Sequence, residues 1–281
     1  MDILLTTHNA NKTCGTVTYN FTLAEELIKQ GHNVYFDSEH THHYIMFYFK
    51  EAGCLAHTDG NVYDLAIHSQ NNYSGKFSAK KRYQIIHGRV DLEKPIPMMD
   101  KYFFVSQEVA DWAVVEGEVI DQPIDIDRFK YNTKNAITNT VLIACQGGQA
   151  VAKMVEICKE LDVRYKVASK YMNSDWNVEQ LIQDSFVVVG VGRIIPEALC
   201  CGKQVVVYDD RGYFKAQFGM PLGYMDIDLL ASSNYTGRGL AQCGDLKEMT
   251  WRALNREQTI ANYQYAREKF NVSRIVKQIL G

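Results

Sequence analysis

The chain has 281 residues and a formal net charge of −3; 46% of its residues are hydrophobic and 22% are charged. This balance excludes an intrinsically disordered chain and argues against a general binder of nucleic acids or membranes. Seven cysteines form no Cys-x-x-Cys pair, and no apolar run reaches the roughly 18 residues of a membrane span. With no basic, apolar leader either, we expect a cytoplasmic protein with free thiols, at most peripheral at a membrane.

Strand and helix patterns alternate in the first half of the chain. Residues 2–7 form an apolar strand pattern, residues 22–30 form an amphipathic helix that ends at Gly31, and residues 32–36 form a second strand. Further strand patterns cover 65–68, 83–87 and 101–105, and Ser106 is placed to cap the next helix. This alternation predicts a doubly wound domain, in which the loops that follow the strands share one sheet edge.

The same alternation returns after a polar stretch at 130–139. Strand patterns at 140–145, 165–168, 185–189 and 204–208 alternate with helix patterns at 150–161 and 196–201. The last segment, 257–280, has a helix pattern with a break near Asn271. We therefore predict an α/β fold of two Rossmann-like domains, 1–132 and 133–281, with the last helix packing back on the first domain.

The strongest local motif lies in the second domain, where a strand runs into a turn with Gly190 and Gly192 and then into a helix. The exposed amides and the dipole at such a helix end favour a phosphate group. Arg193 adds a cation able to hold phosphate with two hydrogen bonds, and Glu197 can accept hydrogen bonds from ribose hydroxyls. The alternative is that the glycines only make a tight turn and that Glu197 only complements the helix dipole.

The segment Gly192-Arg-Ile-Ile-Pro-Glu-Ala-Leu-Cys-Cys-Gly-Lys-Gln-Val resembles the donor-binding loop and helix of family 4 type retaining glycosyltransferases. Three other passages resemble that family in the same order along the chain. They are the opening loop and helix from Thr6 through Cys14-Gly15-Thr16, the passage from Val105-Ser106 to Arg128-Phe129, and the pieces at 234–238 and 265–271. The resemblance implies the GT-B architecture, with the two domains facing a cleft.

The resemblance also implies roles for individual residues. Glu197 binds the donor ribose, the backbone at Gly192 and Arg193 faces the diphosphate and sugar, and His87 lies near the transferred sugar. With the glycine pair after the first strand of the second domain, the predicted donor-binding residues are Gly15, Gly147, Gly148, Lys153, Gly190, Gly192, Arg193 and Glu197. The predicted catalytic residues are His87 and Arg193, although a strand-end histidine bonded to backbone is the alternative for His87.

The sequence departs from the family pattern at two places. Val189 stands where the family usually has a glutamate eight residues before Glu197. The usual Arg/Lys pair for the diphosphate is not evident near the glycine pair, which leaves Lys153, Lys166, Lys170 and Arg193 as the candidate cations. We therefore expect donor binding to be rearranged or activity to be absent. The resemblance further implies a retaining, metal-independent reaction with no cofactor besides the nucleotide sugar.

Two clusters in the first domain bear on the acceptor. The basic run at 76–82, flanked by aromatic residues, predicts contact with an anionic acceptor, with a solvated loop as the alternative. The predicted acceptor-binding residues are His8, Cys14, Thr16, Lys76, Lys80, Lys81 and Arg82. His40, His42 and His43 lack a second ligand group at a defined spacing, so we interpret 39–43 as a polar loop and predict no metal site.

Together these features predict a glycosyltransferase that moves a sugar from a nucleotide diphosphate to a hydroxyl of a glycan, a lipid-linked molecule or a modified DNA base. A lipid headgroup or another large, anionic molecule suits the short chain as acceptor. Two alternatives stay open: a GT-B nucleotide-sugar epimerase or hydrolase, and a module that binds nucleotide sugars without catalysis.

Overall fold

The computed structural model describes residues 1–71, 77–131, 139–168, 176–210, 216–217, 224–237, 245–256 and 260–281. The chain divides into two compact units. The first comprises Met1–Pro123 with Val272–Gly281, and the second comprises Ile124–Asn271. This division lies before the polar stretch at 130–139, of which residues 132–138 are outside the described residues.

The first unit is a parallel α/β unit. Its elements are β1 (Asp2–Ala10), α1 (Gly15–Lys29), β2 (Asn33–Thr41), α2 (His43–Glu51), β3 (Leu55–Ala56), β4 (Val62–His68), β5 (Ser78–Ile86), a 3-10 turn (Asp91–Glu93), β6 (Lys101–Phe104), α3 (Gln107–Ala113) and β7 (Glu118–Val119). The strands form one sheet in the order β3-β2-β1-β4-β5-β6-β7, and every pairing is parallel.

The second unit repeats this construction. Its elements are β8 (Thr140–Ala144), α4 (Gly148–Glu160), β9 (Arg164–Val167), α5 (Val178–Gln183), β10 (Val187–Gly190), α6 (Ile194–Cys200), β11 (Gln204–Asp209), β12 (Ala216–Gln217), α7 (Tyr224–Ser232), α8 (Leu246–Leu254) and α9 (Ile260–Lys269). The sheet order is β12-β11-β10-β8-β9, with only the edge strand β12 antiparallel to its neighbour. The predicted α/β fold of two Rossmann-like domains is therefore confirmed.

Local signals in the sequence explain where several elements end. Gly31 follows α1 with a φ of +84°, the amide of Gly31 donates to Ile28 O, and the amide of His32 donates to Leu27 O. These are the two bonds of a Schellman motif, which closes the helix as the glycine predicted. Ser106 precedes α3, and its hydroxyl accepts a hydrogen bond from the amide of Val109, which confirms the predicted cap.

The last helix, α10 (Val272–Leu280), belongs to the first unit. Its apolar face, formed by Val272, Ile275, Val276 and Ile279, is buried, and the helix contacts α1. Arg274 adds an ion pair of 2.6 Å to Asp121. The predicted break near Asn271 is confirmed, because α9 ends at Lys269 and Asn271 forms a β-bridge with Ile124.

Two interpretations of polar runs as loops are wrong. Residues 39–41 are the end of β2, His42 is the N-cap of α2 and His43 begins that helix, because strand pairing with β1 continues to Thr41. Residues 78–82 of the basic run are the first half of β5, which pairs with β4, and the consecutive side chains of Lys80, Lys81 and Arg82 are all exposed. Lys76 itself is outside the described residues.

Two further sequence expectations concern the whole chain. The six cysteines in the described part of the chain are free thiols, as predicted, and Cys243 is outside it. Among the described residues, every helix is too short or too polar to cross a bilayer.

Candidate functional site

The topology of the second sheet brings the predicted glycines together. The strand order reverses between β8 and β10, so loops leave these two neighbours in opposite directions and open a crevice at their carboxyl ends. Gly190, the last residue of β10, pairs with Ala144, the last residue of β8. The glycine pair at Gly147 and Gly148 and the turn at 190–192 therefore share one sheet edge, which is where ligands bind in such folds.

The turn after β10 depends on its glycines. A side chain at Gly190 would place its Cβ 3.0 Å from Ile194 Cγ2 and 3.1 Å from the carbonyl oxygen of Ala144. Gly192 has a φ of +75°, in the region that favours glycine, and its amide donates a 3.0 Å hydrogen bond to Tyr235 O. The turn is thus closely packed against β8 and held by the segment that contains Tyr235.

The segment at Asn234 and Tyr235 is strained. Asn234 has a φ of +53° and Tyr235 a φ of +56°, although neither residue is a glycine. Such conformations cost about 1–3 kcal/mol each and persist where the surrounding structure enforces them. The Tyr235 side chain is buried against Phe270 with ring centroids 5.8 Å apart. In the sequence, this segment is notable only because it resembles part of the glycosyltransferase family. Local patterns could not predict its contact with Gly192.

Arg193 and Glu197 form a buried ion pair one helical turn apart. Arg193 Nε donates to Glu197 Oε1 at 2.8 Å, and both side chains are 7% exposed. Burial raises the pKa of the Glu197 carboxyl, while the nearby guanidinium groups of Arg193 and Arg128 oppose that rise. Because Arg193 bonds only one of the two carboxylate oxygens in this contact, Glu197 keeps acceptor capacity for a hydroxyl group.

The amino end of α4 holds a carboxylate that the sequence analysis missed. Asp209 ends β11, and its side chain accepts hydrogen bonds from the amides of Gly147 at 3.0 Å and Gln146 at 3.3 Å. The first backbone bond of α4 runs from Val151 N to Gly147 O, so the three amides before Val151 point out of the helix end. This end can bind an anion, but Asp209 already supplies a negative charge there.

Asp210 lies beside the same helix end. A Cβ on Gly147 would lie 1.7 Å from Asp210 Oδ1, so Gly147 allows the close approach of this carboxylate. The signal that could have identified both aspartates is their place directly after a buried strand, at the same edge as the glycines.

The candidate cations for the diphosphate lie on different elements of the second unit. Lys153 is exposed on the second turn of α4, with its ammonium 6.0 Å from the ring centroid of Tyr208. Lys166 lies in β9 and pairs with Asp184 at 3.0 Å, and Lys170 is outside the described residues. Val189 is fully buried in the apolar cluster that contains Ile143, so this position faces the core.

In the first unit, a partly buried polar network joins the carboxyl ends of β1, β4 and β5. Gln70 Oε1 accepts hydrogen bonds from the Thr7 hydroxyl at 3.0 Å and the Asn9 amide at 3.1 Å, and the Gln70 side chain also bonds Glu93. Glu93 accepts a 3.0 Å hydrogen bond from the backbone amide of His87. Burial raises the pKa of the Glu93 carboxyl to about 8, so this group is mainly protonated at neutral pH.

His87 directly follows β5 and is half-buried. Its ring packs edge-on against Tyr19, with centroids 4.6 Å apart. Cys14 is the N-cap residue of α1, and its extended backbone provides the carbonyl that accepts from Thr18 N at 2.9 Å. Gly15 begins the helix, and no atom lies within 4 Å of the position that its Cβ would take. Because Cys14 and Gly15 follow β1 and His87 follows β5 in one parallel sheet, all three lie at the same carboxyl edge.

Other predicted acceptor residues divide between the two edges of that sheet. His8, near the end of β1, pairs with Glu39 of β2 at 3.0 Å, and Thr16 is half-buried in the first turn of α1. Lys80, Lys81 and Arg82 lie toward the amino end of β5, where Lys80 pairs with Asp64 at 2.7 Å. Five or more residues of strand separate them from His87, which at about 3.3 Å per residue is more than about 15 Å.

The sequence contains two Asp-x-Asp triplets, Asp125–Asp127 and Asp226–Asp228, whose carboxylates are candidate metal ligands. Asp125 accepts hydrogen bonds from the amides of Asp127 and Arg128 at 2.9 and 3.2 Å. Asp228 accepts from the Tyr265 hydroxyl and pairs with Lys269. In the described contacts, both carboxylates therefore serve the local structure.

Comparisons with known proteins find similar solved structures but no similar sequence. No protein-family model and no curated protein sequence matches the chain. Among solved structures, an α-glucosyltransferase in complex with UDP and a 13-mer DNA containing an A:G mismatch is 11% identical, with a TM-score of 0.58, over 100% of this chain and 98% of that one. The chain has the GT-B fold.

Two further structures share this GT-B fold. A glycosyltransferase from Rickettsia africae is 9% identical with a TM-score of 0.56, over 100% of this chain and 97% of that one. A putative UDP-N-acetylglucosamine 2-epimerase from Listeria monocytogenes is 11% identical with a TM-score of 0.55, over 100% and 95% of the two chains. At these identities the similarity shows only the fold, and the function has to be argued from the residues of the site.

Proposed function

We propose that the protein is a glycosyltransferase that moves a sugar from a nucleotide diphosphate sugar to a hydroxyl acceptor. The observation that carries this proposal is the carboxyl edge of the second sheet, where the Arg193–Glu197 pair follows the glycine turn after β10 and α4 begins after the neighbouring strand β8. This arrangement offers acceptors for ribose hydroxyls and donors for phosphate within a GT-B fold.

The donor is proposed to bind with its ribose hydroxyls on Glu197 and its diphosphate at the amino end of α4. Glu197 is held in one rotamer by Arg193, so the cost of ordering the carboxylate is already met in the folded protein. The amides of residues 148–150 and the ammonium of Lys153 supply positive charge to the diphosphate. UDP is the first nucleotide to test, because GT-B structures of two α-glucosyltransferase complexes contain it.

The chemical step is proposed to retain the anomeric configuration and to need no metal, as the resemblance implies. Cleavage of the glycosidic phosphate bond leaves negative charge on the diphosphate, which the α4 amides and Arg193 would stabilise. His87, fixed by its backbone bond to Glu93, is proposed to contact the transferred sugar. These roles assign donor binding to the second unit and acceptor binding to the first.

The acceptor is proposed to be a large molecule that carries a hydroxyl group: a glycan, a lipid-linked headgroup or a modified DNA base. The DNA in the α-glucosyltransferase complex supports including DNA among the acceptors. Lys81 and Arg82 are exposed toward the amino end of β5 and would meet phosphates of an acceptor that extends to that edge.

An epimerase or hydrolase of nucleotide sugars is the second candidate, supported by the Listeria GT-B structure. Such a reaction needs acid and base groups near the sugar. Asp209 and Asp210 at the α4 end are carboxylates in a suitable place, so this candidate has a physical basis. A third candidate is a module that binds nucleotide sugars without turnover, because Val189 offers no carboxylate where the family has one.

One assay separates these functions. The wild-type chain is incubated with a panel of nucleotide sugars alone, and then with a glycan, lipid vesicles or hydroxymethylated DNA, and the products are read by mass spectrometry. A transferase gives a sugar adduct on one acceptor together with nucleoside diphosphate. Altered sugar without acceptor indicates the epimerase or hydrolase. Stabilisation of the fold by a nucleotide sugar with no product at all indicates the binding module.

A further inference from the structure

The ends of β1 and β2 bring together three side chains of metal-binding type. His8 comes from β1, and Glu39 and His40 come from β2. One ligand atom from each of the three lies within 4.8 Å of the other two. In the sequence, the histidines at 40, 42 and 43 have no second ligand group at a defined spacing. The parallel pairing of β1 with β2 brings His8 beside His40 and provides that group.

The geometry is close to what a metal ion requires. His8 Nδ1 is already 3.0 Å from Glu39 Oε2, and the rings of His8 and His40 meet edge-on with centroids 4.9 Å apart. Ligand atoms about 2.0–2.2 Å from a tetrahedral zinc ion lie about 3.4 Å from each other. The ligand atoms, all within 4.8 Å of one another, are therefore at most about 1.4 Å further apart than in such a site, a gap that side-chain rotation can close.

The backbone under the three side chains is fixed. The Ser38 hydroxyl lies 3.4 Å from His8 O and 3.2 Å from His40 O, within hydrogen-bond distance of both. Next to His8, the Asn9 amide donates to the half-buried Gln70 side chain. A set of ligands on paired strands with such support loses little entropy when it closes on an ion.

We propose that His8, Glu39 and His40 form a binding site for one divalent transition-metal ion of the zinc or cobalt type. Zinc and cobalt ions bind imidazole well, whereas magnesium and calcium prefer oxygen ligands. A set of two imidazoles and one carboxylate therefore favours zinc or cobalt. The three side chains leave at least one coordination position open, and the Glu39 side chain is 39% exposed, so water or an oxygen of a bound molecule can take it. The proposal rests on the geometry of these three side chains and not on the proposed sugar transfer.

The test uses the full chain after treatment with a chelator. Zn²⁺ is titrated by calorimetry, and Co²⁺ is titrated while the visible spectrum is recorded. We expect one ion per chain, a cobalt spectrum without thiolate charge-transfer absorption, and a rise in the thermal midpoint with Zn²⁺. His40→Ala and Glu39→Gln each weaken Zn²⁺ binding at least about tenfold, with their metal-free thermal midpoints unchanged.

His43→Ala is the matched control, because His43 is a nearby exposed imidazole at the start of α2 and outside the set. It should bind Zn²⁺ as the wild type does. The proposal is overturned if the wild type binds no ion more tightly than His40→Ala, or if His43→Ala weakens binding as much as His40→Ala. Thiolate absorption with Co²⁺ would also overturn it, since it would place the ion on a cysteine such as Cys14.

Discussion

The carboxylate of Asp209 accepts a 3.0 Å hydrogen bond from the backbone amide of Gly147 at the amino end of α4. The contact joins the ends of β8 and β11 across β10 in the second sheet. It places a negative charge where the proposed diphosphate would bind, so donor binding must work against that charge or displace it.

Replacing Asp209 by Asn should strengthen the binding of nucleoside diphosphates. Asn keeps an oxygen that accepts from Gly147 and removes the negative charge, and a unit charge about 4 Å away in water is worth about 1 kcal/mol. We expect the dissociation constant for UDP, measured by calorimetry, to fall about fivefold. Asp184→Asn is the control, because Asp184 lies before β10 at the opposite edge. Unchanged or weaker binding in Asp209→Asn would contradict the proposed diphosphate position.

The glycines at the crevice should differ in their tolerance of alanine. Gly190→Ala places a Cβ against Ile194 and the backbone of Ala144, and we expect it to lower the free energy of unfolding by about 1–3 kcal/mol. Gly192→Ala should cost about 1 kcal/mol because of its positive φ. Gly148→Ala, with nothing within 4 Å, should change the value by less than about 0.5 kcal/mol. Urea unfolding followed by tryptophan fluorescence measures all three, and equal effects would refute the close packing at Gly190.

The Arg193–Glu197 pair should behave as a buried unit. Arg193→Met leaves Glu197 buried without this partner, which typically costs about 3–5 kcal/mol of unfolding free energy. The exposed pair Arg252–Glu248 has the same spacing and a 2.6 Å contact, so Arg252→Met is the matched control and should cost less than about 1 kcal/mol. Denaturant unfolding compares the two variants. A similar small loss in both would mean that water screens the Arg193–Glu197 pair.

Glu93 should make the stability depend on pH. Its folded pKa of about 8 lies above the ordinary value of 4.5, so protonation favours folding fully below pH 4.5, and this stabilisation is lost as pH rises toward 8. Burial lowers the pKa of His68 to about 4, and that imidazole destabilises the fold below about pH 6.5. The interval from pH 6.5 to 8 therefore isolates Glu93.

Over that interval the wild type should lose about 1.6 kcal/mol of unfolding free energy, because the slope of 1.36 kcal/mol per pH unit falls by half as the pH reaches the pKa. Glu93→Gln, which cannot ionise, should lose much less, and Glu108→Gln is a surface control because Glu108 pairs with Arg89 in partly exposed surroundings. Chemical unfolding at pH 6.5 and 8 provides the values. Equal slopes for the wild type and Glu93→Gln would show that the buried carboxyl does not control this dependence.

Local patterns predicted the longer strands, several helices and the caps at Gly31 and Ser106, because hydrophobic periodicity and turn residues act over a few positions. They did not predict α2, α5, α7, α8 or the two-residue strands. The basic run and the histidine run were mistaken for loops, since the decisive factor was pairing with a neighbouring strand. For the same reason the sequence did not indicate that Asp209 meets Gly147, that Tyr235 meets Gly192 or that His8 meets Glu39. These contacts join residues more than 30 positions apart, and only the tertiary fold brings them together.

The central claim is that Glu197 and the α4 end bind a nucleoside diphosphate. The most direct measurement is a calorimetric titration of the wild-type chain with UDP, with the other nucleoside diphosphates, and with the 2′,3′-dideoxy analogue of whichever binds best. The account predicts one site for one nucleotide, and at least about tenfold weaker binding of the analogue, because Glu197 then lacks its ribose hydroxyls. Absence of binding by every nucleotide, or equal affinity for the dideoxy analogue, would contradict it.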